Sequence, residues 1–165
     1  MGILRELDEK RLALEELVEL VISEARYQTN EVFDYLWERQ LSEVSIYKLV
    51  SKCMFFQSEY VIEKLMTIHF PPSLIIFFIK HTRLGLTAQM LKFLKKNSPS
   101  GTDVTFLLYD SPQFLNEETF SLFVSRTRTY HEVMTVLDHA KGLTDEQHQA
   151  LLNLCAFLAV EKSEE

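Results

Sequence analysis

Five residues of helix-capping type stand at near-constant intervals along this chain: Thr29, Ser58, Thr87, Asn116 and Thr144. The first four are evenly spaced, and the fifth comes one position early. The side-chain oxygen of such a residue can accept from a free backbone N–H at the start of a helix. Each is followed by apolar residues of helical period. Four and seven positions past the cap stand Phe33 and Leu36, Ile62 and Leu65, Leu91 and Leu94, and Phe120 and Phe123, with His148 and Leu151 in the last unit. Eight or nine positions before each cap comes another apolar pair: Leu20-Val21, Leu49-Val50, Phe78-Ile79, Leu107-Leu108 and, after a one-residue deletion, Val136-Leu137. The period of about 29 residues lies within the ~20–50 that mark a repeat array, in which each unit buries its apolar face against the next.

The punctuation agrees with that period. Pro71-Pro72, Pro99 and Pro112 fall between apolar blocks, where a helix must stop or start, and Gly85, Gly101 and Gly142 fall between helices. Leu86 and Leu115, each one residue before its cap, have the spacing of a hydrophobic staple onto Leu91 and Phe120. Four Gly and four Pro leave long stretches free for helix. The expected fold is therefore all-α: an α-solenoid of about five stacked helix-loop-helix repeats, ten to eleven helices in a single domain over 1–165. The segment 1–28 reads as a long, charged first helix from about Leu4 to Arg26, followed by its loop. The segment 144–165 reads as an apolar last helix from about Asp145, with a frayed acidic tail over 161–165.

The chain is 47% hydrophobic, enough to build a core. Cys53 and Cys155 form no CxxC pair and lie in apolar helical patterns, so buried, reduced thiols are expected. No charged-then-apolar leader is present, and the most apolar stretch, 65–79, is interrupted by two prolines and is short of the ~20 residues a spanning helix needs. A cytoplasmic setting is the expectation. The net charge of −7 is unevenly placed. Residues 1–40 hold ten acids against five bases, whereas between Glu63 and Asp103 every charge is positive: Lys64, Lys80, Arg83, Lys92, Lys95 and Lys96.

Tetratricopeptide and ankyrin units have longer periods of ~34 and ~33 and signatures that this chain lacks. The short hairpin, carried by Leu49-Val50, Ser58, Ile62, Leu65 and their recurrences over 14–160, resembles in architecture the zigzag hairpins of clathrin legs and vesicle-tether solenoids, or degenerate ankyrin-type arrays. Such a resemblance implies scaffolding in membrane traffic.

Candidate functional residues fall into four groups. Lys92, Lys95 and Lys96 share one helix face by their spacing, and Arg126 stands at the corresponding end of the next unit; together they form a basic belt suited to phosphate, anionic lipid or an acidic protein segment. Six positions before each cap, a polar column reads Ser23, Lys52, His81, Asp110 and His139, differing from unit to unit as a binding ridge would. In the last helix Leu154, Phe157 and Leu158 belong to an apolar set that occupies almost all sides, which points to a second copy, a partner or a neighbouring domain. Phe55 and Phe56 sit between paired helices, where a loop is normally at the surface, and Tyr35, Trp37 and Phe70 are further candidate anchors.

Enzymatic chemistry finds little support: there is no GxSxG, no phosphate-cradling Gly-rich loop and no HExxH, so no catalytic residue, metal ligand or cofactor is expected. The acidic balance and the core-like aromatics beside the belt argue against nucleic acid. The function expected from the sequence is a non-enzymatic protein–protein interaction or scaffolding module. The alternatives are a peripheral-membrane, trafficking or effector-type binding domain using the belt and, from another class, a small metal-dependent hydrolase using His81, Asp110 and His139.

Overall fold

The computed structural model describes residues 2–164, with side chains described through residue 160. Among the described residues it is all-helical, with eleven α-helices and no strand: α1 (Ile3–Glu9), α2 (Leu14–Ser23), α3 (Asn30–Trp37), α4 (Glu43–Lys52), α5 (Glu59–Leu65), α6 (Pro72–His81), α7 (Ala88–Lys96), α8 (Gly101–Leu108), α9 (Glu117–Arg126), α10 (Tyr130–His139) and α11 (Asp145–Glu164). The chain divides into two compact units, Met1–Asn97 and Ser98–Glu165.

All five cap residues act as caps. Thr29 accepts from Val32 N at 3.1 Å, Ser58 from Val61 N at 3.3 Å, Thr87 from Met90 N at 3.1 Å, Asn116 from Thr119 N at 2.9 Å and Thr144 from Gln147 N at 3.1 Å. They open α3, α5, α7, α9 and α11. A second series opens the even-numbered helices, whose first residues Leu14, Glu43, Pro72, Gly101 and Tyr130 recur at one unvarying interval. Ser42, Ser100 and Thr129 cap three of these. At Ala13 the side chain has no oxygen, and Glu16 reaches back to the Ala13 N–H instead, at 3.4 Å. At Pro71 no donor needs capping at the next position, because Pro72 has no N–H.

The expected long first helix is in fact two, α1 and α2. The last N–H groups of α1 tighten onto carbonyls three residues back (Lys10 to Leu7, Arg11 to Asp8), and Arg11 then turns left-handed at φ 51°. The end of α3 does the same, with Arg39 bonded to Leu36, Gln40 to Trp37, and Gln40 at φ 61°. The break at Arg11 is thus the same helix stop that occurs one period later at Gln40. The expected frayed tail falls partly on Glu165, which lies outside the described residues, and the backbone of α11 is helical to Glu164.

Three of the even helices are followed by a single 3-10 turn: Ala25–Tyr27, Met54–Phe56 and Pro112–Phe114. The third residue of each is an aromatic buried in the core. After α6 the same position is Gly85, at φ 62°. In the first two turns a glutamine holds the chain in place. Gln28 Nε2 donates to Val21 O at 3.1 Å, and Gln57 Nε2 to Val50 O at 2.9 Å. The Gln57 Oε1 also accepts from Arg83 N at 3.2 Å, tying this turn to the next hairpin.

In the first unit like packs on like: α2 on α4 and α4 on α6, and likewise α1 on α3, α3 on α5 and α5 on α7. The buried side chains follow suit, with Val21, Val50 and Ile79 on the even helices and Leu36, Leu65 and Leu94 on the odd ones all removed from solvent. In the second unit α8 packs against α9 and α10, and α10 against α11. The apolar stretch 65–79 is split between the end of α5 and α6, and among the described residues no helix is long and apolar enough to cross a membrane.

Candidate interaction surfaces

The polar column occupies equivalent places. Ser23, Lys52, His81 and His139 are the last residues of α2, α4, α6 and α10, and Asp110 lies two residues past α8; all are exposed. A helix must release its last carbonyls near such positions, and the next residue turns the chain, so the side chain is left facing water. The His81 ring lies 4.7 Å from that of Phe77. In the second unit Asp110 N donates to His139 O at 3.1 Å, the Asp110 carboxylate meets Lys141 Nζ at 2.8 Å, and the His139 ring lies 4.5 Å from Tyr109. The two residues are therefore joined through backbone, with their side chains on other partners. Among the described residues no group of three or more His, Cys, Asp or Glu is placed to hold a metal ion.

On α7, Lys92, Lys95 and Lys96 are exposed, while Met90, Leu91, Phe93 and Leu94 are buried on the other side. Asn97 fixes the end of this helix, donating to Phe93 O at 2.9 Å and accepting from Phe70 N at 2.9 Å. Arg126 is half-buried at the end of α9 in the second unit, and the Arg128 guanidinium donates to the carbonyls of Ser125 and Thr127. Lys64 is held by Asp34 at 2.7 Å. The exposed core of the belt is the lysine face of α7.

Phe55 is exposed, but Phe56 is fully buried, with its ring 5.5 Å from Phe33. Phe56 is the core aromatic of its 3-10 turn and cannot anchor a partner. Tyr35 and Phe70 are also buried, Phe70 with its ring 5.8 Å from Phe78 and 6.0 Å from Phe93. On α11, Leu151 and Cys155 are buried, Leu154 and Leu158 are half-buried and Phe157 is 59% exposed. Burial pushes both cysteine thiols up, Cys53 to about 11, so neither is a thiolate near neutral pH.

Three carboxylate clamps escaped the sequence reading. Glu6 of α1 accepts from the Arg26 guanidinium at 2.6 Å and from the Tyr27 hydroxyl at 2.8 Å. Asp8 takes Arg39 at 3.0 Å and the Tyr35 hydroxyl. Asp34 of α3 takes Lys64 at 2.7 Å and the Tyr60 hydroxyl at 2.6 Å. In each, the cation also lies over the tyrosine ring, at 4.3, 3.5 and 5.7 Å. The Arg26 and Tyr27 hydrogen bonds hold the Glu6 carboxyl below its usual range. Burial pushes Asp34 up, but Lys64 and Tyr60 outweigh it and the net shift is downward. The clamps engage Arg26, Arg39 and Lys64 in joining neighbouring segments of the chain. The only sequence signal is a tyrosine with a cation one or four positions away, and that pattern says nothing of a carboxylate far earlier in the chain.

An apolar groove of about 280 Å³ lies on the first unit, lined by Trp37, Gln40, Leu41 and Ile68. A wider depression of about 650 Å³ on the second unit is lined by Glu117, Phe120, Ser121 and the first turn of α11. No protein-family model, curated protein or solved structure matches the chain.

Proposed function

We propose that the chain is a non-enzymatic α-solenoid that works as a protein–protein interaction or scaffolding module in the cytoplasm. The observation that carries this reading is the constant recurrence of helix starts together with the packing of like helices on like in the first unit. Stacking of that kind sets equivalent exposed residues side by side, and a preformed surface costs a partner little ordering entropy. The lysine face of α7 is the strongest candidate for recognition, because Lys92, Lys95 and Lys96 are exposed on a helix that carries no acid. Its partner is an acidic protein segment. Lys52, His81, Asp110 and His139 give each hairpin end its own character.

The test is capture from cell lysate by the wild-type protein and the Lys92→Glu/Lys95→Glu/Lys96→Glu variant side by side, read by mass spectrometry. A partner of the lysine face is retained by wild type and depleted about tenfold or more by the variant, as a loss of ~1.4 kcal/mol or more requires. Identical captures reduce this face to solvated surface.

A further inference from the structure

The turn Met54–Phe56 exposes two large apolar side chains, with Met54 62% and Phe55 45% accessible. The turn itself does not require them. The same two positions hold Ala25 and Arg26 in one of the other 3-10 turns, and Pro112 and Gln113 in the other. The pair is also held stiffly. Phe56 is buried beneath it with its ring edge-on to Phe55 at 5.9 Å, and the Gln57 amide is bonded on both sides, to Val50 O and Arg83 N. The result is a rigid apolar knob.

The same unit carries a matching hole. The turn at 54–58 joins the end of α4 to the start of α5, whereas the segments 38–42 and 66–71 join odd helices to the following even ones. The groove lined by Trp37, Gln40, Leu41 and Ile68 therefore opens at the opposite end of the hairpins from the knob. At about 280 Å³ it is smaller than the ~300–1,000 Å³ of most small-molecule pockets, and suited to an aromatic side chain with a thioether beside it. The charges are complementary. Exposed Lys52 and Arg83 flank the knob, with Glu59 the opposing group nearby, whereas exposed Glu38 and Glu43 flank the groove and the base between them, Arg39, is engaged by Asp8 and Tyr35.

We infer that the occupant of the groove is the Met54–Phe55 knob of a second copy of this chain. Because knob and groove are different surfaces, the contact is heterologous: every open assembly keeps one free knob at one end and one free groove at the other, and association proceeds head to tail. This goes beyond the scaffold reading, and either can fail without the other.

Trp37 lines the groove and is the single tryptophan of the chain, so its fluorescence reports groove occupancy directly. The experiment pairs analytical ultracentrifugation with Trp37 emission over protein concentration, for wild type, a knob variant (Met54→Ser/Phe55→Ser) and a groove variant (Leu41→Arg). Wild type associates progressively and its Trp37 emission shifts in parallel. Each variant alone stays monomeric, and an equimolar mixture of the two yields a two-copy complex and nothing larger. A wild type that remains monomeric to about 1 mM, the weak end of measurable association, overturns the inference. So does a knob variant that associates as wild type does, and that variant carries only exposed changes and so keeps the test independent of the groove variant's folding. Monomer binding to phosphatidylserine vesicles that is lost in the knob variant would assign the knob to a lipid surface, and would equally overturn it.

Discussion

Leu94→Asp unfolds the first unit and Phe123→Asp unfolds the second. Leu94 faces inward from α7 and Phe123 from α9, and neither retains any solvent exposure. Truncation of such a side chain to alanine costs ~2–5 kcal/mol. Aspartate adds an unpaired buried charge, worth several more kcal/mol. Domains of this size hold only ~5–15 kcal/mol in total, so the sum takes most or all of it. Thermal melts followed by circular dichroism check this. The variant loses the helical signal of the affected unit at 25 °C, and a wild-type melt from either variant shows that its helix is not in the assigned register.

Gly101→Ala is the second large effect, and here two terms of opposite sign compete. Gly101 is the first residue of α8, and by helix propensity alone alanine would gain up to ~1 kcal/mol. A Cβ built there, however, falls 1.9 Å from Glu132 Oε2, 2.8 Å from Thr127 Cα and 2.9 Å from Arg126 O. The Glu132 carboxylate can swing away at the loss of its bond to the Thr129 hydroxyl, at 2.8 Å, but the 126–127 backbone is the end of α9 and cannot move alone. Overpacking against backbone costs ~1–3 kcal/mol, and more where nothing can yield. The expected net is a loss of about 2 kcal/mol, a fall in Tm of ~8–16 °C for a unit of this size. An unchanged or raised Tm shows that α8 and the end of α9 do not meet as closely as described.

The odd helices from α3 to α11 were legible in the sequence because all five of their caps carry a side-chain oxygen, and the rest of the fold was harder to read for identifiable reasons. The even series recurs even more regularly, yet two of its five caps, Ala13 and Pro71, have no such oxygen, and the period was invisible at those points. The same gap merged α1 and α2 into one long helix, since Arg11 gives no sign of the left-handed turn it makes. Phe55 and Phe56 are adjacent and chemically identical. Only the turn decides that one faces water and the other the core, and the clue was the in-register Tyr27 and Phe114. The groove at Trp37 could not be read at all, because Leu41 and Ile68 come from different hairpins and meet only through packing.

The most direct test of the solenoid reading is a distance measured by spin labels at equivalent positions on successive even helices. Glu15, Val44 and Ser73 are exposed, each one period from the next, on α2, α4 and α6, and the native cysteines are buried and slow to label. Stacked helices lie ~10 Å apart, so labels at residues 15 and 44 should couple at about that distance and labels at 15 and 73 should give one narrow distribution near 20 Å. A broad distribution, or a 15-to-73 separation beyond about 35 Å, would mean that consecutive hairpins do not stack, and would contradict the account.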